Sequence, residues 1–105
     1  MAEVIWSDPA LVQLDAIAEY IALDKPEAAK AVVQRVFKIT DHLQRFRSMG
    51  RPVPEFPHPH YRQVWIRPCW IYYRLDGADV RILHVRRAER QFSLEDLIQG
   101  GEFGE

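Results

Sequence analysis

WIYYRLDGADVRILHV, residues 70–85, decides the fold. Two runs rich in β-branched and aromatic residues flank Asp76-Gly77, a pair suited to a tight hairpin because glycine accepts the positive φ that such turns demand. The segment therefore predicts two antiparallel strands, over 70–75 and 79–85. Just upstream, YRQVWI (61–66) is a third strand-like run, and the short separator RPC leaves room only for another antiparallel turn. Further back, RPVPEFPHPH (51–60) holds four prolines. Neither a helix nor a central strand tolerates that density, so this stretch predicts a loop.

Ahead of the loop the hydrophobic period changes from two to about 3.6. Leu11, Leu14, Ile17, Ala18 and Ile21 share one helix face, with Asp8 as the expected N-cap and Pro9 in the first turn. ALDKPE breaks the pattern, and Asp24 and Glu27 have the spacing of a capping box. Ala29, Val32, Val36, Leu43 and Phe46 then form a second stripe that Gly50 would end. EVIW (3–6) predicts a short strand at an edge, SLEDLIQ (93–99) a short C-terminal helix, and 100–105 a frayed tail. The order β-α-α-β-β-β, in one domain spanning 1–105, is an α+β arrangement. A helical hairpin laid on one face of a twisted antiparallel sheet buries both stripes.

Composition bounds the rest. Of the 105 residues 48% are hydrophobic, enough for a core. A single cysteine, Cys69, excludes an intramolecular disulfide and a multi-cysteine metal site. No signal-like or membrane-spanning run is read, so a cytoplasmic protein is expected, with no membrane partner. The net charge of −1 conceals a pattern: residues 1–29 carry −5, 30–60 carry +4, 61–90 carry +4 and 91–105 carry −4. The basic middle suits an anionic partner or is neutralised by the chain's own ends.

The charge gathers most densely in RILHVRRAER (81–90), with Arg81, Arg86, Arg87 and Arg90 around His84. On a regular strand Arg81, Leu83, Val85 and Arg87 share one face, and Val80, Ile82, His84 and Arg86 the other. Guanidinium groups match carboxylates and phosphates bidentately, so the cluster suits an acidic protein segment or a nucleic acid backbone. His84 is either a general acid–base or a strand histidine held within the sheet. Tyr61, Trp65, Trp70, Tyr72 and Tyr73 interleave with Arg62, Arg67 and Arg74, as in sheet packing or in a surface that stacks RNA bases. His58 and His60 flank Pro59 without further ligand types nearby, so no metal is expected, and no motif implies a cofactor. Cys69 reads as a turn cysteine.

VIWSDPALVQLDAIAEYIALDKPEAAKAVVQRVF followed, after a gap, by WIYYRLDGADVRILHVRRAER resembles the RelE/ParE superfamily of bacterial type II toxin–antitoxin toxins. The resemblance runs from residue 3 to about 90, and its features are specific in combination. It implies the fold derived above and two possible branches. RelE-like toxins cut mRNA in the ribosome with basic residues on the sheet and a C-terminal tyrosine or histidine. ParE-like toxins inhibit DNA gyrase without nuclease chemistry. Carried over position by position, the nuclease pattern is mostly absent: Arg62 matches one basic position, the other basic positions fall on Val64, Trp70 and near Ala88, and the terminal tyrosine region falls on Phe92 and Leu94. A slip of one or two residues in the last loop would bring in Arg87 or Arg90.

The helical hairpin is similar to the ParE-like branch, so a gyrase inhibitor neutralised by a cognate antitoxin is expected. The alternatives are a ribosome-dependent mRNA endonuclease, with His84, Arg81 and Arg87 as catalytic candidates, and a non-toxic binding or autoregulatory module. The resemblance also implies a toxin–antitoxin hetero-oligomer, and either the target or an acidic antitoxin segment meets Arg62, Arg74, Arg81, Arg86, Arg87 and Arg90.

Overall fold

A computed structural model of the chain describes residues 2–90 together with Leu97. The expected helix at 93–99 and the tail at 100–105 lie outside the described residues, apart from Leu97, which is helical and buried.

The elements are β1 (Val4–Trp6), α1 (Asp8–Ala22), α2 (Pro26–His42), β2 (Arg51–Pro52), β3 (Tyr61–Ile66), β4 (Cys69–Asp76) and β5 (Asp79–Arg87). The expected order is observed, with one addition. Arg51 and Pro52, inside the proline-rich stretch, pair antiparallel with Gln63 and Arg62 as a two-residue edge strand. An edge is where a sheet tolerates proline, because the missing N–H opposes no ladder partner. The sheet runs β1-β5-β4-β3-β2. It is mixed rather than wholly antiparallel: β1 lies parallel to β5, with Val4 beside Val80 and Trp6 beside Ile82. A strand that leaves through a helical crossover can rejoin a parallel neighbour, which a tight turn cannot accomplish.

The turn at 76–79 forms as the sequence predicts. Asp76 pairs with Asp79, and Gly77 takes φ +59° at the first of the two central positions. The helix starts differ by one residue from expectation. Ser7, not Asp8, caps α1: its hydroxyl accepts the Ala10 N–H at 3.1 Å, and Asp8 occupies the first turn, where a carboxylate suits the helix dipole. α2 starts after Lys25 with no side-chain cap, so Asp24 and Glu27 make no capping box. Pro26 at its first position needs no N–H partner.

One core fills the space between helices and sheet, from Leu14, Ile17, Val32, Val36 and Leu43 on the helical side and Ile66, Ile71, Tyr73, Val80, Ile82 and Val85 on the sheet. Ile21 packs at its border, whereas Leu11 and Phe46 are 41% and 57% exposed and leave the expected stripes. Phe46 departs because α2 stops at His42, well before Gly50. The buried Leu43 side chain anchors that end, and the chain then turns across the sheet. Arg47 donates to the carbonyls of Gly77 and Ala78 at the hairpin tip. The Tyr73 hydroxyl donates to the Arg47 carbonyl at 2.8 Å and accepts the Gly50 N–H at 3.0 Å. Glycine is required at 50 because a Cβ there would sit 2.5 Å from the Gln63 carbonyl oxygen and 2.8 Å from the Tyr73 hydroxyl. A second, smaller core covers the opposite sheet face, where Val53, Tyr72, Leu83 and Leu97 pack together beside Phe56, Tyr61 and Trp70.

β5 is not a regular strand. Tyr72 pairs with His84 but Tyr73 pairs with Ile82, so Leu83 is an extra residue. A bulge of this kind reverses the alternation beyond it. Val80, Ile82 and Val85 therefore join the helix-side core, while Leu83 joins the outer one.

Candidate functional site

The bulge redistributes the arginine cluster. The alternation expected from sequence places Arg87 with Arg81 and Leu83. Instead Arg87 follows Val85 to the helix side, where its guanidinium lies 4.2 Å from the centre of the Tyr20 ring of α1. Its Nε also pairs with Glu89 at 3.1 Å. Arg86, expected on the face of Val80 and Ile82, lies instead on the outer side, against the Tyr72 hydroxyl.

The end of β5 and one face of α1 enclose a groove of about 410 Å³. Gln13, Ala16, Ile17 and Tyr20 form the α1 wall, and His84, Val85, Arg86, Arg87 and Arg90 the strand wall. The groove exists because β1 is short. It covers β5 only as far as Ile82, where the Ser7 N–H meets the Ile82 carbonyl at 2.9 Å. Beyond that point the strand edge is met by side chains: the Ser7 hydroxyl on the Leu83 carbonyl at 3.3 Å, and the Gln13 side-chain oxygen accepting the Val85 N–H at 2.8 Å. The result is an apolar floor with a cationic rim.

The sequence candidates divide. Arg86, Arg87, Arg90 and His84 are brought together at this groove. Arg62, Arg74 and Arg81 are not. Arg62 donates to the Gly50 carbonyl at 2.7 Å, bracing the chain between α2 and β2. Arg81 binds Asp76 at 2.7 Å, and Arg74 approaches the same carboxylate at 3.9 Å. The Arg81 hydrogen bond is the main reason that Asp76 titrates below the ordinary carboxylate range. His84 is 6% exposed, with its ring 5.6 Å from that of Tyr72.

Sequence reasoning passed over Gln13 and Tyr20. Their signal was present: 13, 17 and 20 fall at helical spacing, so a polar and an aromatic residue flank a core isoleucine on one face.

The aromatic residues on the sheet serve mainly packing. Tyr72 and Tyr73 are fully buried, and burial raises both phenol pKa values. Trp65 is 46% exposed and leans on Trp70 at 5.3 Å, with the Arg51 guanidinium 4.9 Å from the Trp70 ring. Cys69 is not a turn residue but the buried first residue of β4. Burial, and next the Glu89 charge, push its thiol up to about 11 against the opposing pull of Arg87. Such a thiol is a poor nucleophile. The His58 and His60 rings lie 5.4 Å apart, tilted by 45°. Among the described residues, no three or more His, Cys, Asp or Glu side chains gather as metal ligands would. No helix among them is long and apolar enough to cross a membrane.

Residues 4–92 match the family described as the ParE toxin of the type II toxin–antitoxin system parDE. The chain is 33% identical over 92 residues to Toxin RelE2 of Caulobacter vibrioides, covering 86% of this chain and 99% of that protein. It is 36% identical over 87 residues to the putative toxin Y4kP of Sinorhizobium fredii, covering 83% and 88%. Among solved structures, a chain of the chromosomal ParDE TA system from P. aeruginosa superposes with a TM-score of 0.70 at 30% identity, covering 85% of this chain and 98% of that one.

Proposed function

We propose, because this chain belongs to the ParE toxin family of type II toxin–antitoxin systems, that it inhibits DNA gyrase, performs no covalent chemistry itself and is neutralised by a cognate antitoxin held in the groove between α1 and β5. The observation that carries this is the division of the arginines. Cutting RNA requires an accessible base near the 2′-hydroxyl and cations directed at the phosphate. Here the three outer-face cations around His84 are engaged within the protein, Arg74 and Arg81 by Asp76 and Arg86 by Tyr72, and His84 itself is buried. The groove offers what an acidic, amphipathic segment needs: Ile17, Ala16 and Val85 to receive apolar anchors, Arg90 to meet a carboxylate, and Arg87 to meet another in exchange for its exposed partner Glu89. A segment that is disordered until bound gains its order from such contacts. The likeness to a chain of a ParDE system supports an antitoxin partner.

The test is a supercoiling assay with purified gyrase beside an in vitro translation reaction. Supercoiling slows as the protein is added, recovers when the protein of the adjacent reading frame is present as antitoxin, and translated mRNA stays intact. A second reading, ribosome-dependent mRNA cleavage, draws its support from the likeness to Toxin RelE2. It requires cleavage at codon boundaries that disappears in His84→Ala or Arg87→Ala while supercoiling is untouched. That result would overturn the gyrase reading.

A further inference from the structure

We propose that Tyr72 and Arg86 are positioning residues: the buried phenol holds the Arg86 guanidinium, which in turn fixes the turn presenting Arg87 and Arg90 to the groove. The proposal rests on the reading of that groove as the antitoxin site.

The geometry is specific. Tyr72 is fully buried on the outer side of β4. Its oxygen accepts from two nitrogens of one guanidinium, Arg86 Nε at 3.1 Å and Nη2 at 3.0 Å. The remaining nitrogen, Nη1, points the other way. It donates to the Arg90 carbonyl at 2.5 Å, with the Ala88 and Arg87 carbonyls farther off at 3.3 and 3.5 Å. A guanidinium has five N–H donors in a rigid plane, so anchoring one edge aims the other. Among the described residues the 87–90 turn is otherwise defined by the Arg90 N–H on the Arg87 carbonyl and the Ala88 N–H on the Pro68 carbonyl, each at 3.0 Å, and by the ion pair of Arg87 with Glu89 at 3.1 Å. Ala88, Glu89 and Arg90 are exposed, with no side chain in the core to hold them.

Arg86 is thus the cluster member least able to greet a partner's carboxylate. Its charge draws backbone carbonyls together and leaves Arg87 and Arg90 outside. An arginine held in its bound arrangement before association loses less freedom on binding. Lysine cannot substitute, because an ammonium lacks the planar fork that reaches a phenol and a carbonyl turn at once.

The experiment uses the full chain and, as probe, the protein of the adjacent reading frame. Affinity is measured for wild type, Tyr72→Phe, Arg86→Lys, Arg87→Ala/Arg90→Ala, and the last combined with Tyr72→Phe, each at low and moderate salt. Backbone 15N relaxation of residues 87–90 is recorded beside it. Tyr72→Phe and Arg86→Lys keep the net charge, and each weakens binding about tenfold, the scale of one hydrogen bond to a charged group. Their salt dependence stays that of wild type, while the 87–90 amides become more mobile. In the Arg87→Ala/Arg90→Ala background the phenol no longer matters, since there is nothing left to position. Wild-type affinity in both single variants overturns the proposal, as does the same tenfold loss with and without Arg87 and Arg90, which would make the pair a plain fold element. Wild-type affinity in Arg87→Ala/Arg90→Ala would instead overturn the groove reading beneath it.

Discussion

Tyr73→Phe removes one oxygen from the interior and disconnects the crossover from the sheet. That oxygen donates to the Arg47 carbonyl and accepts the Gly50 N–H, at 2.8 and 3.0 Å. Gly50 is buried, so its N–H has no water to turn to. A buried polar group stripped of its partner costs about 1–3 kcal/mol. The Arg47 carbonyl, on a half-buried residue, recovers part of its loss through hydration. The two together come to about 2–4 kcal/mol, against a total of about 5–15 for a small domain. At about 4–8 °C per kcal/mol, with the lower slope applying at 105 residues, Tm falls by about 8–16 °C. Thermal and urea unfolding followed by circular dichroism measure it, with the urea slope unchanged because no large surface is newly exposed. Gly50→Ala strikes the same junction from the other side, through the Cβ that would crowd the Gln63 carbonyl and the Tyr73 hydroxyl. The two changes combined should destabilise by less than their sum, since each destroys what the other needs. A Tyr73→Phe protein that melts within about 2 °C of wild type would refute the assignment of this hydroxyl as a structural clamp.

Val36 is fully buried between helices and sheet, so Val36→Asp should yield insoluble or unfolded protein, judged from the soluble fraction and the far-ultraviolet spectrum. Cys69, whose thiol titrates near 11 against an ordinary 9.0, should resist a thiol reagent at pH 8 in the folded protein and react fully in urea. Fast labelling without denaturant would contradict its burial. Asp76, held low by Arg81, stabilises the fold above the ordinary carboxylate pKa of 3.8, and that contribution fades as pH falls through its depressed value. The acid side of a Tm-against-pH curve should therefore be flatter in Asp76→Asn than in wild type, with the two proteins closest at the lowest pH. Parallel curves would count against the ion pair.

The hairpin was legible because its determinants are local: Asp76-Gly77 specifies a turn without reference to the rest of the chain. The helices were legible for a similar reason, since Leu14, Ile17, Val32 and Val36 announce a buried stripe by spacing alone. What the sequence hid depends on partners distant in the chain. Whether Ser7 or Asp8 caps α1 is decided partly by the Leu83 carbonyl, which also engages the Ser7 hydroxyl. β2 exists only because β3 offers an edge, and the parallel pairing of β1 waits on β5 arriving beside it. The arginines could be found by eye, but their sorting into Arg86 outside, Arg87 in the groove and Arg81 at the hairpin could not. It follows from a register break that no residue type declares.

That break makes strand register, not charge, the variable that locates the cationic surface. Were the same residues laid out without the break, every side chain after Leu83 would change phase: His84 and Arg86 would turn beneath the helices, Val85 and Arg87 out to the far side, and the tally of arginines would be unchanged. Deletion of Leu83 removes the extra residue and leaves Ile82 opposite Tyr73 and His84 opposite Tyr72, so it should keep Arg87 on the helix side and cost the stability of one buried leucine, read as a lower Tm; Arg87→Gln should leave the protein soluble and folded. Single arginines are open to drift in such a chain, because each affects one contact. A shift of register in the apolar run preceding them readdresses all that follow it.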